Sequence, residues 1–134
     1  MSKKILLVDD EPELVEMVKT RLEANNYEVI TASDGKQALD KVRKEKPDLI
    51  ILDILLPRMD GYNVCGLLKT DIKYNKIPVI MLTVKSQESD KKKGEEAGAE
   101  AYIIKPFEAQ ELLEEIQKLL KGQATLRRKS TLVC

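Results

Sequence analysis

The chain has 134 residues, the length of one ordinary domain, and its 43% hydrophobic content suits a soluble globular fold. Its 23 Lys and Arg residues balance 23 Asp and Glu residues, which argues against binding to nucleic acid or to a membrane through bulk charge. With two cysteines and no histidine, the sequence excludes a disulfide framework, a zinc site and every Ser-His-Asp or Cys-His catalytic arrangement. Any chemistry must therefore use carboxylates, lysines, hydroxyl groups or a metal ion.

The apolar stretches of the chain are all far shorter than the ~20 residues that a membrane-spanning helix needs. The N-terminal apolar run is not a signal peptide either, because Asp9 and Asp10 end it after only a few residues. We therefore expect a cytoplasmic protein that does not associate with membranes.

Five short apolar runs alternate with stretches of helical periodicity along the chain. In chain order, the predicted strands are 5–8, 27–32, 48–53, 79–83 and 101–104. The first predicted helix starts at 10–13 and stops at Asn25, and the second starts at a cap on Asp34 and stops before Pro47. The last three predicted helices cover 62–70, 88–99 and 107–121. Asp34 and Gln37 have the spacing of a capping box.

This alternation predicts βαβ units, and therefore an α/β fold with a parallel sheet covered by helices on both faces. We expect one domain over 1–121, followed by a flexible C-terminal tail or linker over 122–134, where the composition changes. The predicted helix 88–99 contains Gly94, and its apolar side chains are only Ala97 and Ala99, so it buries little area. We expect it to be the least anchored helix of the fold.

Polar side chains that can carry chemistry follow four of the five predicted strands. They are Asp9, Asp10, Asp53, Thr83 and Lys105. Parallel strands place their carboxyl ends at one edge of the sheet, where such folds bind ligands. Three carboxylates at one edge repel one another, and protonation or a divalent cation with oxygen ligands, most plausibly Mg²⁺, would relieve that repulsion.

Each of these residues alone also has an ordinary structural explanation. Asp53 could cap a loop, Thr83 could be a β-branched strand residue, and Lys105 could be an exposed lysine held extended by the proline that follows it. Five suitable residues at the ends of four strands are a much stronger signal than any one of them, and they favour a functional site.

The sequence resembles the receiver domain of two-component response regulators in four segments, ILLVDDEP, DLIILDILLPRMDG, PVIMLT and AYIIKPF. The resemblance covers residues 3–121, nearly the whole chain. It implies a three-layer αβα, doubly wound, flavodoxin-like (βα)5 fold. Its five-stranded parallel sheet would have the order 2-1-3-4-5.

The resemblance also implies a role for each site residue. Asp53 would be the phosphoacceptor, phosphorylated by a sensor histidine kinase or a histidine phosphotransfer protein. The implied Mg²⁺ ligands, with Mn²⁺ as a substitute ion, are Asp9, Asp10, Asp53 and the backbone carbonyl of Leu55. Thr83 and Lys105 would bind the phosphoryl group, and Thr83 together with Tyr102 would form the switch.

The implied function is a phosphorylation-dependent signalling switch in a two-component phosphorelay. Phosphorylation would change the surface formed by the predicted helix 88–99, the fifth strand and the last helix, which would then control a downstream effector protein or form a homodimer. We do not expect the chain to be an enzyme with an external substrate. We expect it to take part only in its own phosphoryl transfer and autodephosphorylation. Because no output domain follows Lys121 in this sequence, we expect output by protein contact, unless the chain is a fragment of a longer protein.

Two alternatives remain open at this point. A receiver-like module that binds partners without phosphorylation usually lacks an acid, the threonine or the lysine, and all of these are present here. An aspartyl-phosphate hydrolase of the haloacid-dehalogenase type would need a second acid two residues after the nucleophile, where Leu55 stands. Nucleotide binding is not indicated, because both glycine-rich phosphate-binding motifs are missing.

Overall fold

The computed structural model describes residues 2–84 and 98–133. Its strands are β1 (Lys4–Val8), β2 (Glu28–Ala32), β3 (Leu49–Asp53), β4 (Val79–Val84) and β5 (Ala101–Lys105). The helices in this part of the chain are α1 (Pro12–Ala24), α2 (Gly35–Glu45), α3 (Gly61–Lys69) and α4 (Ala109–Val133). None of these helices combines the length and the apolar composition that crossing a bilayer requires.

The five strands form one parallel sheet with the order β2-β1-β3-β4-β5, which confirms the predicted fold class and topology. The three central strands are almost continuously apolar because both faces of the sheet are covered. Alternate strand residues, such as Leu6 and Leu7, belong to two separate cores. One core includes apolar residues of α1 and α4, and the other includes those of α2 and α3, which gives the three layers.

The strand order reverses between β1 and β3, and this reversal positions the site. The two strands pair directly, with Val8 beside Leu52 at their carboxyl ends. The residues that follow, Asp9 on one chain segment and Asp53 on the other, therefore lie next to each other. Such a reversal point is where open α/β sheets bind their ligands.

The cap predicted on Asp34 at the start of α2 is present, and the return bond from Gln37 goes to Ser33, one residue before the N-cap. Asp34 Oδ1 accepts a hydrogen bond from the backbone N–H of Gln37 at 2.8 Å. The Gln37 side chain reaches back and accepts the backbone N–H of Ser33 at 3.0 Å. At the other end, Lys46 has φ 47, a left-handed conformation that ends the helix directly before Pro47.

The C-terminal helix differs from the prediction at both ends. It begins at Ala109 rather than 107, because the carbonyl of Glu108 accepts the N–H groups of Glu111 and Leu112 and so starts the helix. It continues past Lys121 to Val133, where no proline interrupts it and Gly122 alone costs about 1 kcal/mol. The division into a domain over 1–121 and a tail over 122–134 remains a prediction.

The helix predicted over 88–99 falls almost entirely on residues 85–97, which lie outside the described part of the chain. Its predicted end at Ala99 is wrong. Gly98 has φ 91, a backbone conformation that no α-helix contains, and Ala99 is not helical. The other predicted element ends agree with the structure to within one or two residues.

Candidate functional site

Three carboxylates meet at the carboxyl edge of the sheet, as the strand pairing requires. Asp9 and Asp10 follow β1, and Asp53 ends β3. One carboxylate oxygen from each lies within 4.8 Å of the others. Asp9 and Asp53 are only 2% and 4% exposed, whereas Asp10 is exposed to solvent. Two buried carboxylates and one exposed carboxylate therefore surround a single point.

Lys105, the last residue of β5, brings a positive charge to this cluster. Its Nζ lies 3.1 Å from Asp9 Oδ2 and 3.4 Å from Asp53 Oδ2. A third carboxylate oxygen, Glu11 Oε1, lies 3.0 Å from the same Nζ. The peptide bond between Lys105 and Pro106 is cis. The ammonium group is thus aimed into the cluster, as the order of the strands and the following proline indicate.

Backbone hydrogen bonds fix the orientation of the two buried carboxylates. The N–H of Glu11 donates to Asp9 Oδ1 at 2.9 Å, and the N–H of Leu55 donates to Asp53 Oδ1 at 3.2 Å. In both cases the other oxygen, Oδ2, faces Lys105. Each carboxylate is therefore held by one oxygen and offers the second to a cation.

Glycine is required where α3 starts behind Asp53. A Cβ atom on Gly61 would clash with the backbone carbonyl oxygen of Asp53, because it would lie closer than real Cβ atoms approach. The N–H of Gly61 donates to the carbonyl of Ile54 at 2.9 Å, and Asp60 caps the helix by accepting the N–H of Asn63. These contacts fold the loop after β3 back against the strand end that carries Asp53.

Burial and charge shift the pKa values of two site residues. Burial is the largest cause, and the Asp9 carboxylate the second, of a rise in the pKa of Asp53 to about 6. Lys105 and the Leu55 N–H act in the opposite direction and lower this pKa. Burial alone would lower the pKa of Lys105, but its hydrogen bond with Glu11 and the nearby carboxylates outweigh burial and raise it. At neutral pH the site therefore holds an ionised Asp53 and a protonated Lys105.

A cavity of about 270 Å³ opens directly over Asp53. It is lined by Asp10, Glu11, Asp53, Ile54, Leu55, Leu82, Thr83, Val84 and Lys105. This volume lies near the lower end of the ~300–1,000 Å³ of typical small-molecule pockets and has room for an ion together with a phosphoryl-sized group. Among the residues that the structure describes, the contact of the Thr83 hydroxyl is a long one, 3.5 Å to the carbonyl of Val84, too long for a strong hydrogen bond.

The donor set fits a hard divalent cation such as Mg²⁺. Magnesium prefers oxygen ligands and is usually bound by one or two carboxylates with water and phosphate oxygens. Asp9, Asp10 and Asp53 supply such oxygens, and Lys105 alone does not balance their charge. Leu55 borders the cavity, but its backbone carbonyl as a fourth ligand remains a prediction.

The structure does not bring Tyr102 into the cavity with the other predicted residues. Tyr102 pairs with Met81 across β4 and β5, and it packs, partly buried, against the core that includes α2 and α3. Thr83 pairs instead with Ile104. The switch role of Tyr102 therefore remains a prediction.

Glu11 is a site residue that the sequence analysis missed. The acidic run that contains it predicts only the start of α1, and Glu11 is indeed the N-cap residue, although its side chain makes no cap hydrogen bond. Its carboxylate contacts Lys105 instead. The one feature of the sequence that points to Glu11 is its position directly after Asp10, at the same strand end as the predicted metal ligands.

The chain is similar in sequence to known proteins of one family. The family model of the response regulator receiver domain matches residues 5–117. The chain is 46% identical over 121 residues to the alkaline phosphatase synthesis transcriptional regulatory protein PhoP of Bacillus subtilis, with 90% of this chain and 50% of PhoP covered. The chain thus spans about half the length of the curated relatives it matches.

Two solved structures show the same fold at appreciable identity. A putative response regulator from Chloroflexus aurantiacus is 38% identical, with a TM-score of 0.87 over 90% of this chain and 99% of that chain. The receiver domain of a sensor histidine kinase from Pseudomonas aeruginosa is 29% identical, with a TM-score of 0.83 over 90% and 99%. That structure contains a magnesium ion coordinated in its active-site cleft.

Proposed function

The chain belongs to the response regulator receiver domain family, and from this we propose that it is a phosphorylation-dependent signalling switch with Asp53 as its phosphoacceptor. One observation carries the proposal. Asp53 is buried and lines a small cavity, and its carboxylate lies 3.4 Å from Lys105 Nζ and within 4.8 Å of oxygens of two further carboxylates. Thr83 borders the same cavity. The side chains around this cavity can therefore bind a phosphoryl group and a cation together.

In the proposed reaction, an ionised carboxylate oxygen of Asp53 attacks the phosphorus atom of a phosphohistidine. A new O–P bond forms as the donor's P–N bond breaks, and the electron pair of that bond leaves on the histidine nitrogen. No atom is oxidised or reduced, and the product is an acyl phosphate on Asp53. With its pKa at about 6, Asp53 is available as the nucleophile at neutral pH.

The cation is proposed to bind to Asp9, Asp10, Asp53 and the backbone carbonyl of Leu55, with Mn²⁺ as a substitute for Mg²⁺. When bound, it supplies neutralisation of the charge on the phosphoryl oxygens. The charge balance supports this requirement. Four ionised carboxylates, including Glu11, and one ammonium group leave a net charge of −3, which opposes the approach of an anionic donor.

Lys105 and Thr83 are proposed to hold the phosphoryl group once it is on Asp53. Lys105 Nζ already lies 3.4 Å from the Oδ2 atom of Asp53, so oxygens bonded through that carboxylate come within its reach. The Thr83 hydroxyl can rotate away from its long contact with Val84 and donate to a phosphoryl oxygen.

We further propose the chain's partners by analogy with its family. The donor would be a sensor histidine kinase or a histidine phosphotransfer protein, in the cytoplasm. Movement of Thr83 and Tyr102 would change the surface around β5 and α4, for reading by an effector protein or a second phosphorylated copy. The chain would turn over no external substrate and would catalyse only its own phosphorylation and autodephosphorylation.

Intact-mass measurement after incubation with acetyl phosphate tests the proposal. We expect one added phosphoryl group with Mg²⁺ and none with a chelator. Asp53→Asn should abolish the gain, whereas Asp40→Asn, which removes a largely exposed carboxylate on α2, should leave it unchanged. An equal gain in Asp53→Asn, or no gain in folded wild-type protein with Mg²⁺ bound, would contradict the proposal.

A further inference from the structure

Lys105 is shared among three carboxylates, and only two of them belong to the proposed metal site. The shortest contact is to the third, with Nζ 3.0 Å from Glu11 Oε1. The contact to Asp9 is 3.1 Å, and that to the phosphoacceptor Asp53 is the longest, at 3.4 Å. In this structure the ammonium group is therefore held slightly away from the residue that it would assist.

Glu11 differs from the other two partners in its exposure. Its side chain is 60% exposed, whereas those of Asp9 and Asp53 are 0% and 5% exposed. Its backbone N–H also donates to Asp9 Oδ1, so the residue touches both Asp9 and Lys105. An ion pair with so exposed a carboxylate is weak, which makes this contact the one that Lys105 can leave most easily.

We propose that Glu11 is a positioning residue that holds the Lys105 ammonium group in a resting place beside Asp9, and that Lys105 leaves Glu11 when it binds the phosphoryl group on Asp53. The inference rests on the proposed function of Asp53 and deepens it. Glu11 would thereby regulate two competitions, one between Glu11 and the phosphoryl group for Lys105, and one between Lys105 and Mg²⁺ for the buried carboxylates.

The lysine geometry allows this exchange. An ammonium group has three donors, and in the resting state they are matched by three carboxylates. A phosphoryl group on Asp53 adds about two negative charges at the longest of these contacts, so the ammonium group is drawn toward it. Lys105 is 14% exposed, and with the buried Asp9 on one side the exposed Glu11 is the partner that it can give up.

The first test measures the rate of phosphorylation by acetyl phosphate at saturating Mg²⁺. Glu11→Gln should react about threefold faster than wild type, because an exposed ion pair contributes under 1 kcal/mol and 1.4 kcal/mol corresponds to tenfold. Glu13→Gln is the matched control, since Glu13 is an exposed acid in the same helical turn with no ion pair recorded in the described part of the chain. Its rate should equal that of wild type.

A double-mutant cycle separates the contact from general charge effects. In a Lys105→Met background, Glu11→Gln and Glu13→Gln should have the same effect, because the ammonium group that Glu11 positions is gone. Glu11→Asp keeps the charge but shortens the reach, so it should resemble Glu11→Gln. The proposal is overturned if Glu11→Gln and Glu13→Gln behave alike with Lys105 present, or if the Glu11→Gln effect persists unchanged in the Lys105→Met background.

A second readout does not depend on phosphorylation. Calorimetric titration should show that Glu11→Gln weakens Mg²⁺ binding about threefold more than Glu13→Gln does, because Lys105 then competes more strongly for Asp9 and Asp53. The difference should vanish in the Lys105→Met background, and its persistence there would overturn the proposal. If wild-type protein bound Mg²⁺ but accepted no phosphoryl group, the proposed function would fail, while this cycle would still decide the role of Glu11.

Discussion

Asp53 combines burial with a neighbouring negative charge, and the folded protein therefore carries an electrostatic cost at this residue. The pKa of Asp53 rises from 3.8 to about 6, with burial as the largest cause and the Asp9 carboxylate as the second. Because the folded state binds the Asp53 proton more tightly than the unfolded state does, folding stability falls as the pH rises through this interval. The ionised form that phosphoryl transfer needs is thus the form that destabilises the metal-free fold.

Asp53→Asn should consequently stabilise the protein at pH 8 relative to wild type, and this advantage should shrink toward pH 4. A shift of two pKa units corresponds to about 3 kcal/mol, which is an upper bound because Lys105 and water can relax around the charge. Urea unfolding in the presence of a chelator would measure the difference at both pH values. A pH-independent difference would contradict the account, and added Mg²⁺ should stabilise wild type more than the variant.

Among individual residues, position at a strand end was sufficient to place Asp9, Asp10, Asp53, Thr83 and Lys105 at one edge of the sheet, since parallel strands must end at one edge. That they are neighbours follows only with the strand order. Glu11 follows Asp10 at the same strand end, but that position alone does not predict its contact with Lys105. Its contact with Lys105 depends on how far a long side chain reaches across the edge, and sequence spacing contains no information about that distance.

At the scale of elements, the start of α3 packs closely against the end of β3, the strand that carries Asp53. A methyl group on Gly61 would collide with the backbone oxygen of Asp53, and backbone atoms cannot move aside cheaply. Gly66 lies within the same helix, and a Cβ atom there would meet nothing within 4 Å. The two glycines therefore form a matched pair in which only the first is required by a close approach.

Gly61→Ala should lower the free energy of unfolding by about 2 kcal/mol or more, because the loop that carries Asp53 must shift. It should also slow phosphorylation by acetyl phosphate. Gly66→Ala should instead stabilise the protein by about 0.5–1 kcal/mol, since alanine is the better residue in a helix interior. Chemical denaturation of both variants gives the comparison, and equal stabilities would show that the close approach at Gly61 is not required.

The last residue of α3, Lys69, joins that helix to two other parts of the fold. Its Nζ donates to the backbone carbonyls of Asn75 and Ile77, at 3.1 and 2.7 Å, and to Glu100 Oε2 at 2.8 Å. The second oxygen of Glu100 accepts the N–H of Val79 at 2.8 Å, at the start of β4. One lysine, only 11% exposed, thus connects α3 to the beginnings of β4 and β5.

Lys69→Met should destabilise the fold by about 1–3 kcal/mol, because the exposed Glu100 carboxylate and two backbone carbonyl groups lose their charged hydrogen-bond donor. Lys73→Met is the control, since Lys73 is an exposed lysine in the following loop, where substitutions usually cost less than about 0.5 kcal/mol. Thermal or urea unfolding at neutral pH would distinguish them. Similar stabilities for the two variants would be incompatible with the connecting role of Lys69.

Hydrophobic periodicity predicted the existence and order of the elements better than their ends. The strands could be predicted because each is a short apolar run between polar residues. The non-helical backbone at Gly98 and the start of α4 at Ala109 could not be predicted, because they depend on a positive φ angle and on a carbonyl that accepts two N–H groups. These are choices of backbone conformation that apolar spacing does not determine.

At the scale of the whole molecule, the sheet order is what turns separate strand ends into a site. Periodicity alone predicts a parallel sheet, but it leaves the order of the strands open, and the order 2-1-3-4-5 came from the resemblance of four segments to a known family. With β1 beside β3 and β4 beside β3, Asp10, Asp53, Thr83 and Lys105 line one cavity. The central claim is therefore that, of the acidic residues of this chain, Asp53 is the one that accepts a phosphoryl group.

The most direct test is to locate the phosphoryl group by reduction with sodium borohydride, which converts an aspartyl phosphate to homoserine. Protein treated with acetyl phosphate and Mg²⁺ would be reduced, digested and analysed by tandem mass spectrometry, beside a sample prepared with chelator. We expect homoserine at position 53 in the Mg²⁺ sample alone. Homoserine at Asp9, Asp10 or a surface acid instead, with Asp53 unmodified, would contradict the central claim.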